Sequence, residues 1–189
     1  KILYDNKYIY FGIVLYQNNN SIAYKNGDYD DFINSFEDNS DFFVIELDTQ
    51  NKHDSSYGFA INASNVRADY MVYGDEDGNV DDYWNASWKS EVIIKDDSWV
   101  IEVAIPMSEL RFSSNSKQDW GINFIRYIKF KNETSIWSFI PEFQNKFISQ
   151  YGHLLDLDIK YSNNFKIKPY LLMGDIEYND VYYDVAPSD

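Results

Sequence analysis

Three tryptophans, Trp84, Trp88 and Trp137, fall at strand ends or in loops of this sequence, where an indole ring can be left uncovered. The chemistry open to such a ring is stacking against the apolar C–H face of a pyranose, while neighbouring Asn, Asp, Glu or Arg side chains take up the hydroxyls. Arg126 is the candidate polar partner. It shares a strand face with Trp120, Ile122, Phe124 and Ile128, so its guanidinium must be paired if that face is buried. A structural partner such as Glu102 or Asp69 is expected ahead of a ligand contact. Trp99 and Trp120 alternate with core residues and are expected to pack inside.

A second constellation is acidic. The run from Asp75 to Asp82 places oxygen ligands at alternate positions, Asp75, Asp77, Asn79 and Asp81, and calcium takes roughly six to eight oxygens. The spacing departs from an EF-hand, because the glycine, Gly78, comes too early and Ala86 stands where the closing glutamate belongs. A solvated turn is the preferred reading, as it is for Asp28, Asp30, Asp31, Asp38 and Asp41. Catalysis has little support. The chain has no cysteine, no nucleophile elbow, no phosphate loop and no zinc motif, and its two histidines, His53 and His153, are isolated. Glycoside hydrolysis needs only two carboxylates about 5 to 9.5 Å apart, and nothing in the sequence nominates a pair.

These residues have to be positioned by strands. In Trp99-Val100-Ile101-Glu102-Val103-Ala104-Ile105 every second residue is large and apolar, the period of a strand with one buried face. Pro106 cannot donate to a ladder, and Met107 to Leu110 suffices only for a helical turn. Further strands are expected at Tyr8–Leu15, Phe42–Leu47, Tyr57–Asn62, Arg67–Tyr73, Glu91–Lys95, Trp120–Lys129, Thr134–Trp137 and His153–Leu157. Arg67–Tyr73 is the antiparallel partner of Tyr57–Asn62, and Asp96-Asp97-Ser98 turns the chain back towards Trp99. Phe32, Ile33 and Phe36 are spaced for one helical turn in the acidic stretch before Asp41. Many short strands and no long helical pattern predict an all-β, antiparallel β-sandwich.

The chain has 189 residues and a formal net charge of −15, with 17 Tyr, 13 Phe and 5 Trp. One sandwich over 1–160 is long enough to build a core without disulfides. The charge argues against a nucleic-acid partner, whose phosphates need clustered Lys and Arg, and against anionic membranes. Residues 161–189 read as a linker, then the alternating Phe165-Lys166-Ile167-Lys168-Pro169-Tyr170, then an acidic stretch too short to complete a domain.

Taken in order, several motifs resemble one bacterial family. They are Leu3-Tyr4-Asp5 with Tyr8-Ile9-Tyr10, Asp41-Phe42-Phe43 with Leu47-Asp48-Thr49, Tyr57-Gly58-Phe59 with Ile61-Asn62, and Trp84-Asn85-Ala86-Ser87-Trp88. Trp99, Ile105-Pro106 with Leu110-Arg111-Phe112, Trp120-Gly121-Ile122-Asn123-Phe124 with Arg126, Lys131-Asn132-Glu133 and Trp137 with Pro141 continue the match. The family is DUF5916, whose amino-terminal domain is similar to carbohydrate-binding module family 9 and precedes a region taken to form an outer-membrane β-barrel. The resemblance implies a non-catalytic domain in the bacterial envelope, periplasmic or surface-exposed, with strands ahead of Lys1 and with 161–189 as the entry to the barrel. It implies a paired-aromatic clamp for glycan, allows a structural calcium, and links the domain to glycan breakdown through its neighbours. The barrel would be its own partner and its only tie to a membrane. The alternative is a structural domain that scaffolds or plugs that barrel without binding sugar.

Overall fold

The computed structural model describes residues 1–30, 35–36, 39–76, 79–141 and 147–159. Within them the chain forms two antiparallel sheets. In the first, β1 (Ile2–Tyr4), β2 (Tyr8–Tyr16), β8 (Ser98–Pro106) and β7 (Lys89–Ile94) follow one another in the order β1-β2-β8-β7. The second runs β10-β9-β3-β4-β5-β6, from β10 (Glu133–Ile136) and β9 (Lys117–Ile128) through β3 (Phe42–Asp48), β4 (Ser55–Asn62) and β5 (Arg67–Tyr73) to β6 (Asn79–Asp81). β11 (Gly152–Asp158) also joins β9. The expected antiparallel β-sandwich is the fold observed.

Alternation explains the core. Trp99, Ile101, Val103 and Ile105 of β8 are all buried, and Ile9, Phe11 and Leu15 join them from β2. They meet Phe43, Ile45, Leu47, Tyr57, Phe59, Ile61, Trp120 and Ile122 from the second sheet in one apolar cluster. Pro106 ends β8 and a single 3₁₀ turn, Met107–Glu109, follows. The Asp96–Ser98 hairpin closes through the Lys95 N–H donating to the Ser98 carbonyl at 2.7 Å.

β9 is the hub of the larger sheet. One edge pairs with β3, while the other is shared, Ile125–Ile128 by β10 and Lys117–Ile122 by β11. β6 was not anticipated: three residues, Asn79-Val80-Asp81, are too few to show a period inside an acidic turn. Arg126 is also placed differently from expectation. Its Nη2 donates to the Tyr16 carbonyl at 3.1 Å and to Gln17 Oε1 at 2.9 Å, whereas Glu102 faces outward from β8 and Asp69 is engaged elsewhere. Gln17 Nε2 in turn donates to Asp41 Oδ2 at 2.6 Å, so the guanidinium reaches a carboxylate through an amide. Phe32, Ile33 and the stretch 161–189 lie outside the described residues.

The outer face of the larger sheet is covered too. Phe36 packs there on Val44, Ala60, Val66 and Ala68, and Ile148 and Tyr151 pack on Val72. Between these patches sits Glu46, buried, with Tyr70 Oη donating to Oε1 at 3.0 Å and Tyr151 Oη donating to Oε2 at 2.7 Å. Burial pushes the Glu46 carboxyl up, and the two tyrosine hydroxyls pull it back. Gly58 lies between Glu46 and Tyr70 in the sheet register, and a Cβ on it would collide with the Tyr70 ring. Gly58→Ala is therefore expected to displace Tyr70 and to destabilise the fold by about 1–3 kcal/mol, the usual cost of overpacking, read from urea unfolding midpoints.

Candidate functional site

The candidate platform residues separate into two places. Trp84 and Trp88 lie on the segment between β6 and β7, and it folds back onto β4 and β5. The Trp84 ring stands 5.0 Å from Tyr57 and 5.9 Å, edge-on, from Phe59, and it is partly buried. Trp88 is only 3% exposed. Its Nε1 donates to Asp69 Oδ2 at 2.6 Å and its ring meets Phe59 edge-on at 5.3 Å. Arg67 donates to its carbonyl, and the guanidinium lies 5.5 Å from its ring. Trp88 is therefore no rim platform, because an inward-facing carboxylate on β5 captures its N–H and draws the indole under the surface.

Asp69 organises this corner. Besides Trp88 it accepts from the Tyr29 hydroxyl and, at 3.3 Å, from the Ala86 N–H, while its own N–H donates to Asp30 Oδ1 at 3.1 Å. Burial raises the carboxyl of Asp69, opposed by those donors.

Trp137 is different. Its N–H donates to the Phe124 carbonyl at 2.9 Å, continuing the β9–β10 ladder by one residue. The ring sits 5.6 Å from Phe124, yet 60% of the residue is exposed. The other support is Gly152, at the start of β11, where any Cβ would run into the indole. Arg126 lies diagonally across the same strand pair, opposite Ser135 in register. It is half-buried, and its Nε has no partner among the described residues. Burial lowers the Arg126 pKa, and the charges of Asp41 and Glu133 oppose that shift. The structure thus brings Trp137 and Arg126 together at the β9 edge and sets Trp84 and Trp88 apart, with β3 between the strands they rest on. Among the described residues the ring contacts of Trp137 share no residue with those of Trp84 and Trp88.

Three further residues build the Trp137 rim without having been singled out. Phe124 and Gly152 hold the ring, and Tyr151, next to Gly152, is tied to Glu46. A glycine within a strand is itself a signal of close approach, so Gly152 was the readable one.

Asp75 and Asp81 of the acidic turn are engaged within the fold. Asp75 Oδ1 accepts from the Ser149 N–H at 2.8 Å and Asp81 Oδ1 from the Tyr83 N–H at 3.0 Å, while Asn79 opens β6 opposite Tyr73. Asp77 lies outside the described residues. Among the described residues no group of three or more His, Cys, Asp or Glu side chains is placed to hold a metal ion.

Asp30 carries the clearest pH signature. Its carboxyl is pushed up to about 6, first by burial, with the Asp69 and Asp82 charges adding to the shift and the Asp69 N–H and Arg67 opposing it. Between its ordinary value of 3.8 and about 6 the folded chain keeps a proton that the unfolded chain has lost. The contribution of Asp30 to stability therefore falls as pH rises through that window. Asp30→Asn keeps an oxygen acceptor for the Asp69 N–H. Its stability relative to wild type is expected to climb from pH 4 to 6 and to level off above 7, measured by urea unfolding at each pH.

No protein-family model matches the chain, and no curated protein matches it significantly. Solved structures do. A carbohydrate binding module family 9 from Caldicellulosiruptor kristjanssonii in complex with cellotriose aligns over 89% of this chain and 78% of its own, at a TM-score of 0.55 and 14% identity. The structure from the same organism in complex with glucose aligns over 88% and 78%, with a TM-score of 0.55 and 13% identity. A Bacteroides uniformis ATCC 8492 protein provisionally assigned to carbohydrate binding aligns over 82% and 75%, with a TM-score of 0.56 and 16% identity. At these identities the likeness concerns the fold, and the chain has the fold of family 9 carbohydrate-binding modules.

Proposed function

We propose that this chain is a non-catalytic carbohydrate-binding domain whose ligand stacks on Trp137. The observation that carries the reading is the exposed indole, fixed from beneath by Gly152 and Phe124 and flanked by Arg126. A ring held in advance loses little entropy on binding, and a guanidinium at its edge can donate to hydroxyls. The family 9 modules of the same fold are seen with cellotriose and glucose, so neutral glucans are the first ligands to try. The motif resemblance supports a setting in the bacterial envelope, as the periplasmic or surface part of a DUF5916-like protein ahead of an outer-membrane barrel.

A second reading rests on a separate observation. Trp88, Trp99 and Trp120 are all buried, as expected of a domain that scaffolds or plugs such a barrel and has no sugar clamp.

Calorimetric titration with cellotriose, glucose and a wider glycan panel separates the two. Trp137→Ala is expected to weaken binding by about tenfold or more, roughly 1.4 kcal/mol per tenfold, with the melting temperature nearly unchanged. Trp84→Ala is expected to keep the affinity and lower the melting temperature. Repeating the titration with calcium and with a chelator tests the metal. If wild-type chain binds no glycan in the panel, the first reading fails.

A further inference from the structure

Gly12 is the residue of β2 whose identity neither backbone nor packing explains. It sits in the middle of a nine-residue strand. The β2–β8 register runs unbroken from Tyr8 opposite Pro106 to Tyr16 opposite Ser98, so there is no bulge. Among the described glycines only Gly74 has a positive φ, and a Cβ built on Gly12 has no heavy atom within 4 Å. Glycine inside a strand costs about 0.5–1 kcal/mol relative to alanine. With bulge, bend and crowding set aside, the remaining use of a strand glycine is close approach by something outside the fold.

The space that Gly12 leaves open belongs to a cleft of about 500 Å³ on the outer face of the four-stranded sheet, inside the roughly 300–1,000 Å³ range of small-ligand sites. Gly12 and Ala104 floor it, and Tyr10 forms a wall beside its partner Leu3. The Tyr10 ring is braced in place. Its hydroxyl lies 3.3 Å from Asp5 Oδ2, and it stands 5.7 Å from the Tyr8 ring. Asp5 is itself fixed by the N–H groups of Lys7 and Tyr8 at 2.7 and 2.8 Å, which hold its carboxyl below the ordinary range.

The opposite wall carries Glu91 and Glu102, which face each other directly across β7 and β8. Like charges in that position repel, and among the described residues neither is in an ion pair. Lys89, opposite Ala104, adds an ammonium. Acceptors and an ammonium side by side on the β7–β8 wall, an apolar floor and an aromatic wall suit a group that is apolar on one face and both donates and accepts at its edges. A pyranose is such a group; a simple cation or anion would meet a like charge on the β7–β8 wall.

We infer that the outer face of the four-stranded sheet carries a second glycan site, apart from the Trp137 rim. A neutral pyranose lies there on the Gly12–Ala104 floor against Tyr10, with its hydroxyls on Glu91, Glu102 and Lys89. The choice of ligand class rests on the reading proposed above; the site itself rests on Gly12 and the cleft.

Amide chemical-shift mapping with cellotriose tests it. Wild type is expected to shift at Tyr10, Gly12, Glu102 and Ala104 as well as around Trp137. Gly12→Val, a good strand former placed in open space, is expected to keep or raise the melting temperature and to abolish the sheet-face shifts while leaving those at Trp137. Glu102→Gln is expected to weaken the sheet-face response by about tenfold, roughly 1.4 kcal/mol, without altering the fold. Trp137→Ala does the converse, so the two sites fail separately: shifts confined to Trp137 overturn this inference alone, and shifts confined to the sheet face overturn the Trp137 assignment alone. A lowered melting temperature in Gly12→Val overturns it by giving the glycine a folding role. So does a change of oligomeric state on sedimentation, which makes the face a contact between copies, and so does an absence of shifts anywhere.

Discussion

A carboxylate cut off from water has to be answered by donors, and in this sandwich the answer to Glu46 determines how the outer layer is laid down. Two tyrosine hydroxyls reach it from different directions, Tyr70 across Gly58 from β5 and Tyr151 from the segment that enters β11. Leaving such a group unpaired would cost several kcal/mol. The pairing therefore fixes where Tyr151 lies, and through it Gly152, the surface on which the Trp137 indole rests. Asp75 and Asn123 assist: the first accepts from the Ser149 N–H, the second accepts from the Ser138 N–H at 2.9 Å. A buried polar contact on one side of the larger sheet thus positions an exposed ring at its edge.

The same logic with the opposite outcome operates at β5. Asp69 is another buried carboxylate, and its donors include an indole N–H. Satisfying it pulls Trp88 inward and ties Ala86, so the segment that carries Trp84 and Trp88 becomes part of the core wall. Trp88 turns inward because a buried acid has claimed it, while Trp137 stays exposed. Local sequence treats Trp84, Trp88 and Trp137 alike, as rings near strand ends.

What could be read from the chain follows from the range of each interaction. The alternation from Trp99 to Ile105 and the stop at Pro106 are local, so β8, its turn and the packing of Trp99 were legible, as was the antiparallel pair Tyr57–Asn62 with Arg67–Tyr73. The meeting of Trp137 with Arg126 needs the β9–β10 register, which the turn at Lys131-Asn132 hints at without setting. Arg126 finding Gln17, Glu46 finding Tyr151 and Asp69 finding Trp88 each join a strand residue to a distant connecting segment, and no spacing rule connects them. Gly12 is a middle case. Its type is conspicuous in an aromatic, β-branched run, but only the empty space above it shows that packing is not the reason.

The order of strands has a consequence for how the chain is made. β2 finds its main partner β8, and β3 finds β9, at sequence separations of roughly 70 to 100 residues, and pairings of that separation are slow to close. Among the described residues, the three residues of β1 are the one pairing partner of β2 that comes before β8 in sequence. Until Trp99 to Ile105 have been synthesised, the strand that carries Ile9, Phe11 and Leu15 lacks its β8 ladder. The net charge of −15 gives such a chain a like-charge repulsion that favours solubility over association.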